Sequence, residues 1–454
     1  MSKKIKQFIL LGGDVIILYF SLYLTLSLRY AKIPSPELWQ SHFIPFTLVF
    51  FFWLLIFYIS DLYNLNFAVN NIRFYQLTSR SLLISSFLSV AFFYIIPQIN
   101  IAPKRNMLIY VVVFAILFIL WRRLYNWLLK SYLPKINIAI IGFNKQVEEL
   151  INELKLKKHL GYNILAIIDP DNKLGHPIEN IKIIKNITYL PETIVQLNLD
   201  WVILATNIHD SEELQKTLFK TLSKKINLIS LTNFYEIITG KISLETINQV
   251  WFLENLNKKN MFFFDFFKRT YDLILSTVFL LFIIVLYPII GLLIKLETKG
   301  PIFFKQKRLG KNGQIFNIIK FRTMSEDSND RTPTAADDKR ITRLGQILRK
   351  TRIDELPQVI NILKSEMSFV GPRPERPDLA EELEKQVPYY RQRLLAKPGA
   401  TGWDQISGEY HSPSVEDSLK KLQYDLFYIK NRSIYLDLSI ILKTIATILS
   451  RKGM

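Results

Sequence analysis

Residues 273–294 read LILSTVFLLFIIVLYPIIGLLI, an apolar run of 22 residues in the second half of the chain. At about 1.5 Å per residue, a helix of that length reaches across a hydrocarbon core of about 30 Å. Its flanks argue against a crossing. Lys268 and Arg269 precede it, and Lys295, Lys299, Lys305, Lys307 and Arg308 follow it. Basic residues collect on the cytoplasmic side of membranes, so positive charge at both ends places both ends there. Pro288 lacks a backbone donor and is the expected kink. The reading is a re-entrant helical hairpin over residues 271–296 that dips into one leaflet and returns. A fifth span is the alternative.

Toward the N-terminus lie four more apolar stretches, at residues 8–28, 43–59, 81–96 and 107–120. Lys3, Lys4 and Lys6 precede the first, and Arg122, Arg123, Lys130 and Lys135 follow the fourth. The pattern predicts four transmembrane helices within residues 1–130, with both ends cytoplasmic. Gly12, Gly13 and Asp14 interrupt the first stretch, which fits poorly with a cleavable signal peptide. Asp14 itself reads more readily as a paired or neutral carboxyl near a helix end than as a relay.

Residues 135–255 change character. INIAIIG at 136–142 and WVILAT at 201–206 read as buried strands, and 164–169 as another, with a helix near 145–157 between them. Such alternation predicts a doubly wound α/β domain. Its first turn, Gly142-Phe143-Asn144-Lys145, carries a single glycine where a dinucleotide fingerprint needs G-x-G-x-x-G. The domain is therefore a degenerate Rossmann-like fold, structural or regulatory rather than cofactor-binding.

The composition narrows the chemistry. Of 454 residues, 58 are Lys or Arg and 39 Asp or Glu, a net charge of +19, which points to anionic partners: nucleic acid, phospholipid head groups or phosphorylated substrates. With no cysteine, disulfides, zinc-thiolate sites and thiol nucleophiles are excluded. The five histidines are scattered, which disfavours a histidine metal site or a Ser/His/Asp triad. Any metal should be a hard cation held by carboxylates and phosphates.

The informative motifs fall in the last 200 residues. Lys320-Phe321-Arg322-Thr323-Met324 follows an expected strand at 314–319; LRKTRIDELPQ occupies 348–358, MSFVGPRP 367–374 and KPGATGW 397–403. On a helix the adjacent Asp354 and Glu355 diverge by about 100°. They cannot form a shared-proton dyad, but one can attack or accept a proton while the other holds a metal or a second substrate. Pro357 fits the first turn of a helix at 358–364, whose dipole would favour the ionised, nucleophilic carboxylate. In isolation such a pair is an ordinary cap. Here Lys320, Arg349, Arg352 and Arg373, the last clamped between two prolines, surround it with charge suited to a polyphosphate.

These elements, with Lys421-Leu422-Gln423-Tyr424-Asp425, resemble the bacterial sugar transferases, the polyprenyl-phosphate phosphoglycosyl transferases. The resemblance covers the whole chain and is to the large members, similar to undecaprenyl-phosphate galactose or glucose phosphotransferases. It implies a membrane α plus α/β architecture: four transmembrane helices, a Rossmann-like domain at 135–255, and a catalytic domain at 262–454 carrying the re-entrant helix. It further implies transfer of sugar-1-phosphate from a UDP-sugar to undecaprenyl phosphate at the bacterial inner membrane, initiating exopolysaccharide, capsule, O-antigen or a related glycoconjugate. Asp354 would be the nucleophile, and Mg²⁺ would bind Asp354 and Glu355. Arg349 and Arg373 would clamp phosphate, assisted by Lys320 and Arg322. The partners implied are the two substrates and membrane lipids, with no nucleic acid and with room for a homodimer. Ser365 and Asp404 depart from the usual pattern, away from the Asp-Glu pair.

Two other classes compete. A membrane-bound nucleotide-sugar dehydratase or epimerase would need a glycine-rich turn and Tyr-x-x-x-Lys, and no tyrosine here precedes a lysine at that spacing. A non-catalytic scaffold would leave the 354–373 constellation unexplained. Two weaker features remain: an apolar-rich helix at 434–449, read as core or contact packing, and a polar stretch at 327–338, read as a cover for the site.

Overall fold

A computed structural model describes residues 3–63, 72–95, 103–131, 136–157, 160–174, 177–178, 180–208, 211–224, 226–256, 261–325, 338, 340–407 and 414–450. The polar stretch at 327–338 lies, apart from Asp338, outside the described residues. The chain divides into two compact units, Met1–Phe234 and Tyr235–Met454.

The first unit opens with four long helices, α1 (Lys3–Tyr30), α2 (Pro36–Ile59), α3 (Ile72–Ile95) and α4 (Pro103–Ser131). Each contains a stretch long and apolar enough to cross a membrane. Aromatic side chains fill the space between them: Trp53 meets Phe114 edge-on at 5.1 Å, and Phe118 stacks on Phe114 at 5.3 Å. Asp14 is fully buried and paired with Arg122 at 2.7 Å, while Trp121 Nε1 donates to its other oxygen. Arg122 also donates to the Leu62 carbonyl, so the buried Asp14 carboxylate and the Arg122 guanidinium hold each other within this apolar bundle. The paired reading of Asp14 holds.

The α/β part comprises β1 (Ile136–Ile141), α5 (Lys145–Leu156), β2 (Tyr162–Ile168), β3 (Lys182–Ile184), α6 (Leu190–Gln196), β4 (Trp201–Leu204), α7 (Glu212–Thr221) and β5 (Asn227–Ser230). All neighbouring strands pair in parallel, in the order β3-β2-β1-β4-β5. Ile138 to Ile141, Ala166 to Ile168 and Val202 to Leu204 are buried, as strands covered on both faces must be. Gly142 has φ +88°, and a Cβ there would lie 2.4 Å from the Thr206 side chain, so the turn demands this glycine. Asn144 then caps α5, its side chain accepting from Val147 N at 3.0 Å. The helix terminus that would face a pyrophosphate is thus partly satisfied by the chain itself.

The second unit starts earlier than the sequence suggested. Residues from Tyr235 to Asn255 belong to it rather than to the α/β domain. The reason is packing: Glu236, on α8 (Leu231–Thr239), accepts from Lys430, and Ile242 and Ile247 share a core with Leu383, Val387, Leu422 and Leu426. After α9 (Gln249–Leu256) comes α10 (Phe262–Glu297), with Pro288 inside it. Where a hairpin was expected over 271–296, the chain runs as one helix of 36 residues without a reversing turn. Losing one donor at Pro288 does not end it.

An antiparallel hairpin follows, β6 (Phe303–Leu309) with β7 (Ile315–Phe321). Next come α11 (Arg343–Thr351), a 3₁₀ turn (Ile353–Gln358), α12 (Val359–Leu363), and β8 (Ser368–Val370) paired in parallel with β9 (Gly399–Thr401). Helices α13 (Pro377–Gln386), α14 (Val415–Asn431) and α15 (Ile434–Ser450) complete the unit. On α15, Ile440 and Asp437 are fully buried, as core packing requires, while Tyr435 and Leu438 stay exposed.

Both ends of α10 rest on this same unit. Near its start, Lys268 pairs with Asp437 at 2.6 Å, Arg269 donates to the Ile362 and Leu363 carbonyls, and Asp272 accepts from Ser368 Oγ and Phe369 N. Near its end, Ile290 and Ile294 pack with Phe321 and Leu348. Between these anchors Leu281, Phe282, Ile284 and Val285 are more than 60% exposed, an apolar surface that water would penalise.

Candidate active site

Two loops built on glycine hold the site together. A Cβ on Gly371 would sit 2.2 Å from the Lys397 carbonyl oxygen, and one on Gly399 would sit 2.1 Å from Gly371 N. The V-G-P-R-P and K-P-G segments therefore touch backbone to backbone, which no larger residue permits. This contact sets the backbone of Arg373, whose carbonyl accepts from Arg393 Nη2 at 3.0 Å. Arg393 is in turn buried against Asp425 at 2.8 Å and donates to the Tyr390 hydroxyl.

Asp354 and Glu355 lie inside a 3₁₀ turn that leads directly into α12 (Val359–Leu363), close to the helix expected at 358–364. Helix α11 ends at Arg352, which takes the left-handed conformation at φ 54°, and the chain turns tightly into Ile353. Asn361 fastens the following α12 to β7: its side chain accepts from Ile319 N at 3.1 Å and donates to the Asn317 carbonyl at 2.8 Å. Lys320 is thereby held opposite the turn.

Glu355 Oε1 accepts from Lys320 Nζ at 2.7 Å and from Arg373 Nη2 at 3.0 Å. Burial alone would raise its pKa, but these two cations more than offset that and hold it well below the usual carboxylate range. Asp354, only 8% exposed, behaves oppositely. Burial first, then the neighbouring Glu355, push it up to about 6, against the pull of Lys320, Arg349 and Arg373. No hydrogen bond reaches its carboxylate among the described residues. The sequence led to a carboxylate held in its ionised form by the helix dipole. The structure has burial as the larger influence.

Lys320, Glu355 and Arg373 thus converge. Arg349 stands beside them, with Nε on Thr323 Oγ1 at 2.9 Å, close enough for its field to act on Asp354. Arg322 does not join the group. Strand β7 stops at Phe321, and the Arg322 guanidinium turns to the Thr298 and Lys299 carbonyls at 2.9 and 2.7 Å. Those carbonyls lie just past the end of α10 and need donors, so Arg322 is a helix-end clamp. Pro288 is remote in role, inside α10. Sequence reading missed Arg393 and Asn361. Asp425 had been noted within its motif, but nothing local tied it to an arginine 32 residues away.

Among the described residues, no group of three or more His, Asp or Glu side chains forms a metal cage. The pair at 354–355 offers two carboxylates, one free of hydrogen bonds. That donor set suits a cation such as Mg²⁺, which takes one or two protein carboxylates and fills its shell with substrate phosphate oxygens and water.

The family model for bacterial sugar transferases matches residues 263–451, and one described as a CoA-binding domain matches residues 58–231. A UDP-glucose:undecaprenyl-phosphate glucose-1-phosphate transferase of Xanthomonas campestris pv. campestris is 30% identical over 69% of this chain and 67% of its own length. The chain belongs to the bacterial sugar transferase family. An uncharacterized sugar transferase of Bacillus subtilis shares 40% identity over 41% of this transferase and 89% of its own length. A UDP-N-acetylgalactosamine-undecaprenyl-phosphate N-acetylgalactosaminephosphotransferase of Aeromonas hydrophila is 34% identical over 53% of this transferase, which spans 56% of that relative's length. The family expected from the motifs is the one found, which leaves the dehydratase or epimerase reading without support.

Proposed function

We propose that this protein transfers a sugar-1-phosphate from a UDP-sugar to undecaprenyl phosphate, releasing UMP and forming undecaprenyl-diphosphate-sugar. One observation carries the reading: of two adjacent carboxylates, Glu355 is locked by Lys320 and Arg373, while Asp354 is buried and its carboxylate takes no hydrogen bond among the described residues. A residue kept so is poised to act as a nucleophile rather than as a strut. An Asp354 oxygen attacks the phosphorus bearing the sugar, and a phosphosugar-aspartyl bond forms. The bond from that phosphorus to the bridging oxygen breaks, and UMP leaves with the electron pair. An oxygen of undecaprenyl phosphate then attacks the same phosphorus and releases the Asp354 carboxylate. Arg349 and Arg373 hold phosphate oxygens, Lys320 sets Glu355, and positioning plus charge neutralisation provide most of the acceleration. Mg²⁺ held by Asp354 and Glu355 would supply additional screening of the diphosphate.

The same reading fixes a topology. A soluble nucleotide sugar and a lipid phosphate must meet at the cytoplasmic face of the bacterial inner membrane. Both ends of α10 pack on one domain, and a domain cannot lie on both sides of a bilayer, which argues against α10 crossing it. With α1–α4 as four spans, both flanks of that bundle are cytoplasmic. The product would begin a surface polysaccharide or related glycoconjugate. Purified protein given a panel of UDP-sugars with undecaprenyl phosphate should release UMP, and donor alone should leave a phosphosugar on the Asp354 peptide. An unmodified peptide in active enzyme overturns the nucleophile. Because the chain has no native cysteine, a cysteine placed at position 300 reports topology, and labelling from the periplasm would show that α10 crosses the membrane and overturn this reading.

A further inference from the structure

A second basic cavity lies in this unit, away from Asp354. It has a volume of about 200 Å³ and receives Lys311 from the β6–β7 turn, Lys397 from the loop before β9, and Arg432 from the end of α14. Lys268 and Arg269 of α10 add to its wall. Among the described residues, two carboxylates, Asp265 and Asp272, stand against these five cations, and Lys268 is already neutralised by Asp437. Asp272 is also engaged, accepting from Ser368 and Phe369. The cavity therefore retains uncompensated positive charge. Burial first, then the nearby Arg269 and Lys311, lower the pKa of Lys397, as expected of like charges gathered without enough anion.

Its place in the fold separates it from the reaction centre. Arg269 grips the carbonyls of Ile362 and Leu363 at the far end of α12, whereas Asp354 lies in the turn that precedes this helix. The eight residues between them, at about 1.5–2 Å each, amount to about 12–16 Å of helix. A phosphate in the cavity is too far away to be attacked.

The cavity also adjoins a surface made for lipid. Positions 265, 268, 269 and 272 of α10 line it, while Phe262, Phe263, Phe266 and Phe267 on the same two turns are 50–76% exposed. A helix with aromatic residues on one face and cations on another lies in the membrane interface, rings among acyl chains and cations at phosphate depth. We infer that this cavity binds the phosphate head group of an anionic phospholipid, held by Lys311, Lys397 and Arg432. It would fasten the amino end of α10 at a fixed depth. The inference rests on reading α10 as membrane-embedded, within the proposed function.

Native mass spectrometry of the delipidated full chain in detergent tests it, using phosphatidylglycerol, phosphatidylcholine and inorganic phosphate as separate probes. Phosphatidylglycerol should bind at least about tenfold more tightly than phosphatidylcholine. The double variant Lys311→Gln with Arg432→Gln should lose that preference, and Lys311→Arg with Arg432→Lys should restore it. Equal retention of phosphatidylglycerol by the glutamine variant overturns the site. Displacement of the lipid by millimolar inorganic phosphate overturns the lipid as the source of the anion. UMP release from the same wild-type sample reports separately on the transfer reaction.

Discussion

Two turns, one in each unit, each place a residue at positive φ and carry opposite chemistry. After β1, Gly142 and Asn144 lead into α5, and the Asn144 side chain closes the helix start on itself. After α11, Arg352 leads into the 3₁₀ turn, and among the described residues nothing closes on the Asp354 carboxylate. The first turn uses its polar atoms on its own backbone. The second leaves a buried carboxylate open and surrounds it with fixed cations. The difference distinguishes the two turns more sharply than fold does, since chemistry resides in unspent polar groups.

The comparison breaks most decisively at Asp354. Asp354→Asn keeps shape and removes the nucleophile, so UMP release should fall by at least about 10³-fold, with no covalent adduct by mass spectrometry. Wild-type turnover in that variant would make the open turn as inert as the closed one. Glu355→Gln comes next. It leaves Lys320 and Arg373 without their shared anion and misplaces both, and kcat should drop by about 10²-fold in steady-state UMP assays. The pH profile sharpens the contrast further. Asp354 must be ionised to attack, and its carboxyl is raised to about 6, so kcat/KM should decline roughly tenfold per pH unit below that value and level off above it. A profile flat down to pH 4 would place the titrating group elsewhere. The smallest effect belongs to the other turn. Asn144→Ala should cost about 1 kcal/mol, seen as a lowered Tm, and leave UMP release unchanged.

Much of this contrast was legible in the sequence because it is local. One glycine against three, two adjacent carboxylates, and an arginine between prolines are all read within a few residues. The strands β1, β2 and β4 announced themselves as runs of Ile, Val and Leu between turn residues. What escaped was set by contacts far apart in the chain. Arg322 shares a motif with Lys320, yet the strand ends between them and the free carbonyls beyond α10 draw it away. Arg393 looks like any surface arginine until Asp425 and the Arg373 carbonyl meet it. The boundary at Tyr235 was invisible because Ile242 and Ile247 fit either neighbour by composition, and only packing against Leu422 and Leu426 decides. The form of α10 was misjudged for a related reason: a proline weakens one hydrogen bond, whereas reversing direction needs a turn that no residue there provides.

Helix α10 has a consequence for how the enzyme keeps station. Its contacts with Phe321 and Leu348 adjoin the strand and helix that carry Lys320 and Arg349. Under the proposed topology, the elevation of Asp354 above the acyl chains is machined into the catalytic unit, like the fixed blade height of a plane. A thicker or thinner bilayer would lift or lower the whole tool without altering the cut.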